Sequence, residues 1–163
     1  MDKPPVFQKR RTLIIGYGNP LRGDDAFGLR VADRLAAIPE IAADPLIRIE
    51  TVHQLMPELS EAMAEADFVL FIDAAAPSSG RPPGTLHFEA INAEKSSHEA
   101  LGHHLTPQQA LAYAKVLFGV APKAWIASVT AQSFDYGAPL SPTVQAAIPA
   151  VIHWTRERIS ALS

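Results

Sequence analysis

The stretch GYGNPLRGDDAFGLRVADRL, from Gly16 to Leu35, sets two adjacent carboxylates, Asp24 and Asp25, at the mouth of a helical pattern directly behind a short apolar run. Like charges side by side repel, so a cation or a proton has to relieve the pair. One aspartate at a helix N-cap stabilises the helix by about 1 kcal/mol, and the helix dipole welcomes a second. Capping accounts for one of the two and leaves the other facing the crevice beyond the strand. A third carboxylate, Asp73, follows the apolar residues Phe68 to Ile72, which predicts partial desolvation of its charge. His103 and His104 stand just ahead of a helix start at Thr106-Pro107. Two carboxylates and one imidazole make an O,O,N set for a borderline divalent metal, although each residue taken singly also reads as a cap or turn residue. Neighbouring side chains in an extended segment point to opposite sides, so only one of the two histidines faces the carboxylates. His53, His87, His98 and His153 read as loop, edge-strand or helix-surface residues.

Other chemistries are poorly served. The chain has no cysteine, which excludes a disulfide scaffold, a thiolate metal site and a cysteine nucleophile. No G-x-S-x-G occurs, and Ser78-Ser79-Gly80 lies in a Pro-rich turn rather than a strained elbow. The glycine-rich stretch fails as a dinucleotide fingerprint: Leu21 stands where the third Gly belongs, and two aspartates occupy a helix start where a phosphate wants bare N–H groups. A net charge of −3 without a stripe of Lys or Arg argues against nucleic acid as a partner. The one basic cluster, Lys9-Arg10-Arg11, reads as a solvated flank of the first strand. The N-terminus MDKPPVFQKRR lacks the apolar core of a signal peptide and no later run approaches a membrane span, so a cytoplasmic protein with no membrane partner is expected.

The elements that must position these residues alternate. Thr12–Gly16 is a β-branched apolar run, and apolar positions from Asp25 to Ile38 give a helical face stopped before Pro39. A strand is predicted over Ile47–Val52, a helix over Met56–Ala66, a strong strand over Asp67–Pro77 and an edge strand over Thr85–Ile91. A long loop then leads to a helix over Thr106–Gly119, with Thr106 as N-cap and Gly119 as the stop. A strand over Ala124–Thr130 and a closing helix begun by Ser141-Pro142, broken or kinked by Pro149, complete the chain. With 163 residues, 48% of them hydrophobic, an α/β fold of one domain over 1–163 is expected, with residues 1–10 as a flexible extension. Ligands in such folds collect at the carboxyl ends of the strands, where Asp25, Asp73 and the paired histidines could converge.

The opening GYGNPLRGDDAFG resembles the G-x-G-N-x-L-x-x-D-[DE]-x-x-G signature of the hydrogenase maturation endopeptidases, peptidase family M52. FVLFIDAA, HHLTPQQALAYAKVLFG and APLSPTVQAAIPAVI resemble further segments of that family in the same order. The resemblance implies a three-layer αβα sandwich with a mostly parallel central sheet. It also implies an endopeptidase that removes the C-terminal extension of a [NiFe] hydrogenase large-subunit precursor after nickel insertion. The family's metal-contacting trio carries over to Asp25, where the family often has Glu, with Asp73 and His103, beside which stand His104 and, nearby, His98. The nickel is then supplied by the substrate. Asp25, Asp73 and Asp24 are the catalytic candidates, and Asp24 is expected to cap the helix or brace the glycine-rich loop. Gly16, Gly18 and Gly23 are expected to keep that loop flat enough for a peptide to approach, with Asn19 and His104 completing the substrate-binding set. Two other readings remain: a non-catalytic chaperone that binds the nickel-bearing tail, and a small zinc hydrolase with its own metal.

Overall fold

The computed structural model describes residues 10–77, 80–93 and 105–162. Its five strands are β1 (Thr12–Tyr17), β2 (Ile47–Val52), β3 (Phe68–Ala75), β4 (Leu86–Ile91) and β5 (Lys123–Thr130), joined in one sheet of order β2-β1-β3-β5-β4. All neighbouring pairs are parallel except β4 with β5. The chain steps from β1 to β2 on one side and then crosses to β3 on the other. A topological switch point therefore opens between the carboxyl ends of β1 and β3, where α/β folds bind ligands.

The apolar runs read as strands because both faces of the sheet are covered. Ile14, Phe68, Leu70 and Ile72 face a core built with Phe27, Val31 and Leu35 of helix α1 (Phe27–Ala36). The short helices α2 (Pro39–Ala42) and α5 (Pro142–Gln145) and the long α6 (Ile148–Ala161) pack on this same face. Leu13, Ile15, Val69 and Phe71 point the other way, into a core shared with α3 (Ser60–Glu65) and α4 (Pro107–Phe118). The result is a three-layer αβα sandwich.

Boundaries follow local chemistry. In α4 the Thr106 hydroxyl accepts from Gln109 N while the Gln109 side chain accepts from Thr106 N, a reciprocal capping box, with Pro107 behind it and Gly119 in the left-handed conformation as the stop. The closing helix breaks as its proline requires: α5 ends at Gln145, and Pro149 sits in the first turn of α6, where it needs no hydrogen bond. Two expected helices begin instead as 3-10 turns, Gly23–Ala26 ahead of α1 and Pro57–Leu59 ahead of α3. Pro39 does more than stop α1, since it opens α2. Arg11 is exposed as expected, and it bonds Asp67 through its backbone N–H at 2.8 Å and its guanidinium at 3.4 Å.

Helix α1 lies unusually close to the sheet. A Cβ on Gly16 would fall 2.2 Å from the Gly28 carbonyl oxygen, and one on Gly28 would fall 2.2 Å from that of Ile72. Two missing side chains thus let the helix rest directly on the backbones of β1 and β3. No described helix is long and apolar enough to cross a membrane.

Candidate active site at the carboxyl ends of the first and third strands

Past β1 the chain turns sharply and comes back on itself. Gly18, at φ 147°, takes a conformation that other residues rarely adopt, and a Cβ there would stand 1.9 Å from the Asp25 carbonyl oxygen. Asn19 organises the turn: its side chain accepts from Leu21 N at 2.9 Å, and its own N–H donates to Asp25 Oδ2 at 2.8 Å. One Asp25 oxygen is therefore held by the loop while the half-buried residue faces the switch point.

Asp73 enters from β3. The register pairs Gly16 with Ile72, so Tyr17 and Asp73 come next to each other on the face that carries α3 and α4. The Tyr17 hydroxyl donates to the Asp73 carboxylate, whose Oδ1 also accepts from Ala74 N at 2.7 Å. Burial pushes the Asp73 carboxyl up to about 6, the nearby Asp25 charge adds to the rise, and the bonds from Tyr17 and Ala74 hold it back. Burial, and then the charge of Asp73, raises the Tyr17 phenol well above its ordinary value, so it remains a donor. Around neutral pH Asp73 is poised to take or release a proton beside a second carboxylate, as general acid–base chemistry requires. With both acids ionised, the pair favours a cation.

Asp24 has another task. It is 1% exposed, and the 3-10 turn that contains it has no side-chain cap bond. Its Oδ2 accepts from Gln132 N (2.8 Å), Ser133 N (3.2 Å) and Ser141 Oγ (2.9 Å), and its Oδ1 accepts from Ser141 N at 2.7 Å. Its own N–H donates to the Ser133 carbonyl at 3.0 Å. Ser141 in turn caps α5, its hydroxyl accepting from Val144 N. Asp24 thus ties the opening glycine-rich turn to the loop between β5 and α5, and both of its carboxylate oxygens are engaged there.

No family model matches the chain. It is similar to hydrogenase expression/formation protein HupD of Rhodobacter capsulatus, 28% identical over 145 residues, covering 86% of this chain and 67% of that protein. Its structure superposes on the hydrogenase maturating endopeptidase HybD from E. coli with a TM-score of 0.74, at 23% identity and covering 93% of each chain. On the [NiFe] hydrogenase maturation protease HycI from Thermococcus kodakarensis the TM-score is 0.70, at 24% identity, covering 95% of this chain and 96% of that one. The chain has the fold of the hydrogenase maturation endopeptidases.

Within this maturation-endopeptidase fold the structure brings Asp25, Asp73 and Asn19 to one place. His103, His104 and His98 lie outside the described residues. Among the described residues no three His, Cys, Asp or Glu side chains form a metal-binding group. The spaces at Gly16, Gly18 and Gly23 are taken by the chain's own carbonyls, those of Gly28, Asp25 and Ser133, so a side chain at any of them would meet backbone. His53 is exposed beyond β2, while His87 and His153 lie 3.5 Å from Glu89 and 3.2 Å from Glu157. Sequence reasoning missed Tyr17 and Ser141. A tyrosine ending a buried strand is a signal in itself, because its hydroxyl needs a partner.

Proposed function

We propose that the protein is the endopeptidase that removes the C-terminal extension from a [NiFe] hydrogenase large-subunit precursor after nickel insertion, working in the cytoplasm. The observation that carries this reading is the pairing of Asp25 with a desolvated Asp73, raised to about 6, at the switch point of a maturation-endopeptidase fold. The likeness to HupD points the same way. The nickel belongs to the substrate. Asp25 and Asp73 offer it carboxylate oxygens, and His103, just ahead of α4 in the sequence, is the proposed third contact.

Docking of the nickel-bearing tail relieves the repulsion between the two acids. With the nickel held by the pair, a carboxylate oxygen that the metal does not take can accept a proton from the attacking water and pass it to the leaving amine. Asp24 stands apart from these steps, since its oxygens are occupied. Intact mass spectrometry of nickel-loaded precursor before and after incubation tests the proposal. Loss of the C-terminal extension, absent with nickel-free precursor, is expected. An intact tail that nevertheless co-purifies with the protein would identify a chaperone instead, and cleavage dependent on zinc held tightly by the protein would identify a zinc hydrolase.

A further inference from the structure

Two loops meet beside Asp25 and form one rigid lip. Leu21 O accepts from Gly137 N at 2.8 Å, Arg22 Nε donates to Phe134 O at 3.4 Å, and the Arg22 guanidinium carbon lies 5.6 Å from the centre of the Tyr136 ring. Residues 133–138 are also bonded within themselves, Asp135 N to Ser133 Oγ and Ala138 N to Asp135 O, and Asp24 locks the base. Yet the lip holds two large apolar side chains out in water: Leu21 is 62% exposed and Tyr136 is 74% exposed. Single exposed apolar residues are ordinary. Two on adjoining backbones, fixed by hydrogen bonds and a cation–π contact, are organised in advance for a contact the chain alone does not make.

We infer that this lip is the docking surface for an extended segment of the substrate protein that carries an apolar side chain and a carboxylate. The occupant is argued from position and charge. The lip continues directly into the turn that holds Asp25, because Asn19 bonds both Leu21 N and Asp25. Leu21 and the Tyr136 ring supply apolar area at little entropic cost, and no carboxylate among the described residues forms an ion pair with Arg22. The inference rests on the proposed protease reading and adds where its substrate is gripped.

The experiment compares wild type with Leu21→Ala, Tyr136→Ala and a control, Val116→Ala, an 82% exposed apolar residue on the last turn of α4. The substrate is nickel-loaded large-subunit precursor, followed by cleavage kinetics and by direct binding. Leu21→Ala and Tyr136→Ala should each raise KM and weaken binding about tenfold with kcat nearly unchanged, and Val116→Ala should match wild type. Unchanged KM and binding in both lip variants, in a wild type that cleaves, overturn the lip and leave the protease reading standing. A wild type that neither cleaves nor binds the precursor overturns both. Light scattering that finds a dimer of this chain, lost in the lip variants, assigns the surface to a second copy and overturns the inference.

Discussion

Replacing Asp24 by alanine should be among the most destabilising single substitutions in this chain. The side chain is buried and accepts four hydrogen bonds, three from backbone N–H groups and one from a hydroxyl, all from residues 132, 133 and 141. A hydrogen bond to a charged group contributes about 1.5–3 kcal/mol, and a buried donor left without an acceptor costs about 1–3 kcal/mol. The four are coupled, and the loop can open to water, so the sum overstates the effect; about 3–5 kcal/mol is expected, out of a total stability of about 5–15 kcal/mol. Asparagine is the sharper probe. Its best orientation keeps a carbonyl oxygen at the crowded Oδ2 position and turns its NH2 toward Ser141 N, donor against donor, for a loss of about 2–3 kcal/mol. Urea unfolding followed by circular dichroism reads the difference. At a slope of about 2 kcal/mol/M the midpoint should fall by about 1 M for asparagine and about 2 M for alanine. Midpoints within about 0.3 M of wild type for both variants would refute the brace.

Asp25→Asn keeps an acceptor for Asn19 N but removes the anion, so processing should stop while the unfolding midpoint stays near that of wild type; cleavage assayed beside urea unfolding checks both. Asp73→Asn should abolish processing and alter the pH dependence of stability. The folded carboxyl holds its proton up to about pH 6 and the unfolded one only to its ordinary 3.8, so wild type loses stability as pH rises through that window, by up to about 3 kcal/mol. The asparagine variant lacks that decline and should be the more stable protein at pH 7 but not below pH 4, as denaturant titrations at several pH values will show. Thr106→Ala removes half of the α4 capping box and should cost about 1 kcal/mol, seen as a lower thermal midpoint.

The sheet and the bounds of α4 were legible because their signals are local. Apolar runs bounded by breakers mark β1 and β3, and a Thr-Pro start with a Gly stop marks α4. Orientation is different: alternation along Leu86–Ile91 marks a strand but is the same for parallel and antiparallel pairing, so the reversal of β4 had no signature. That Asp24 braces rather than caps was hidden for a related reason. Acidic residues at a helix start usually cap it, and its true partners lie 108–117 residues away, beyond the reach of any pattern in its own neighbourhood. The partnership of Tyr17 with Asp73 depends on the register between two strands, which only the folded sheet fixes. Asp25 and Asp73 could be picked out as candidates because a carboxylate pair behind a glycine-rich turn and a carboxylate closing an apolar run are conspicuous in one dimension.

The bare contact between α1 and the sheet works as a gauge. Asp25 travels with the helix and Asp73 with β3, so the thickness of material between Gly28 and Ile72 O sets the span between the two acids. That thickness is at its minimum, and a single methyl group at position 28 would force the layers apart by about 1 Å to reach ordinary contact. Groups that share a metal or a proton tolerate only a few tenths of an ångström. Alanine in a helix interior is normally about 1 kcal/mol more favourable than glycine. Here that gain is closed to the protein, because the methyl would change the span on which the proposed chemistry depends.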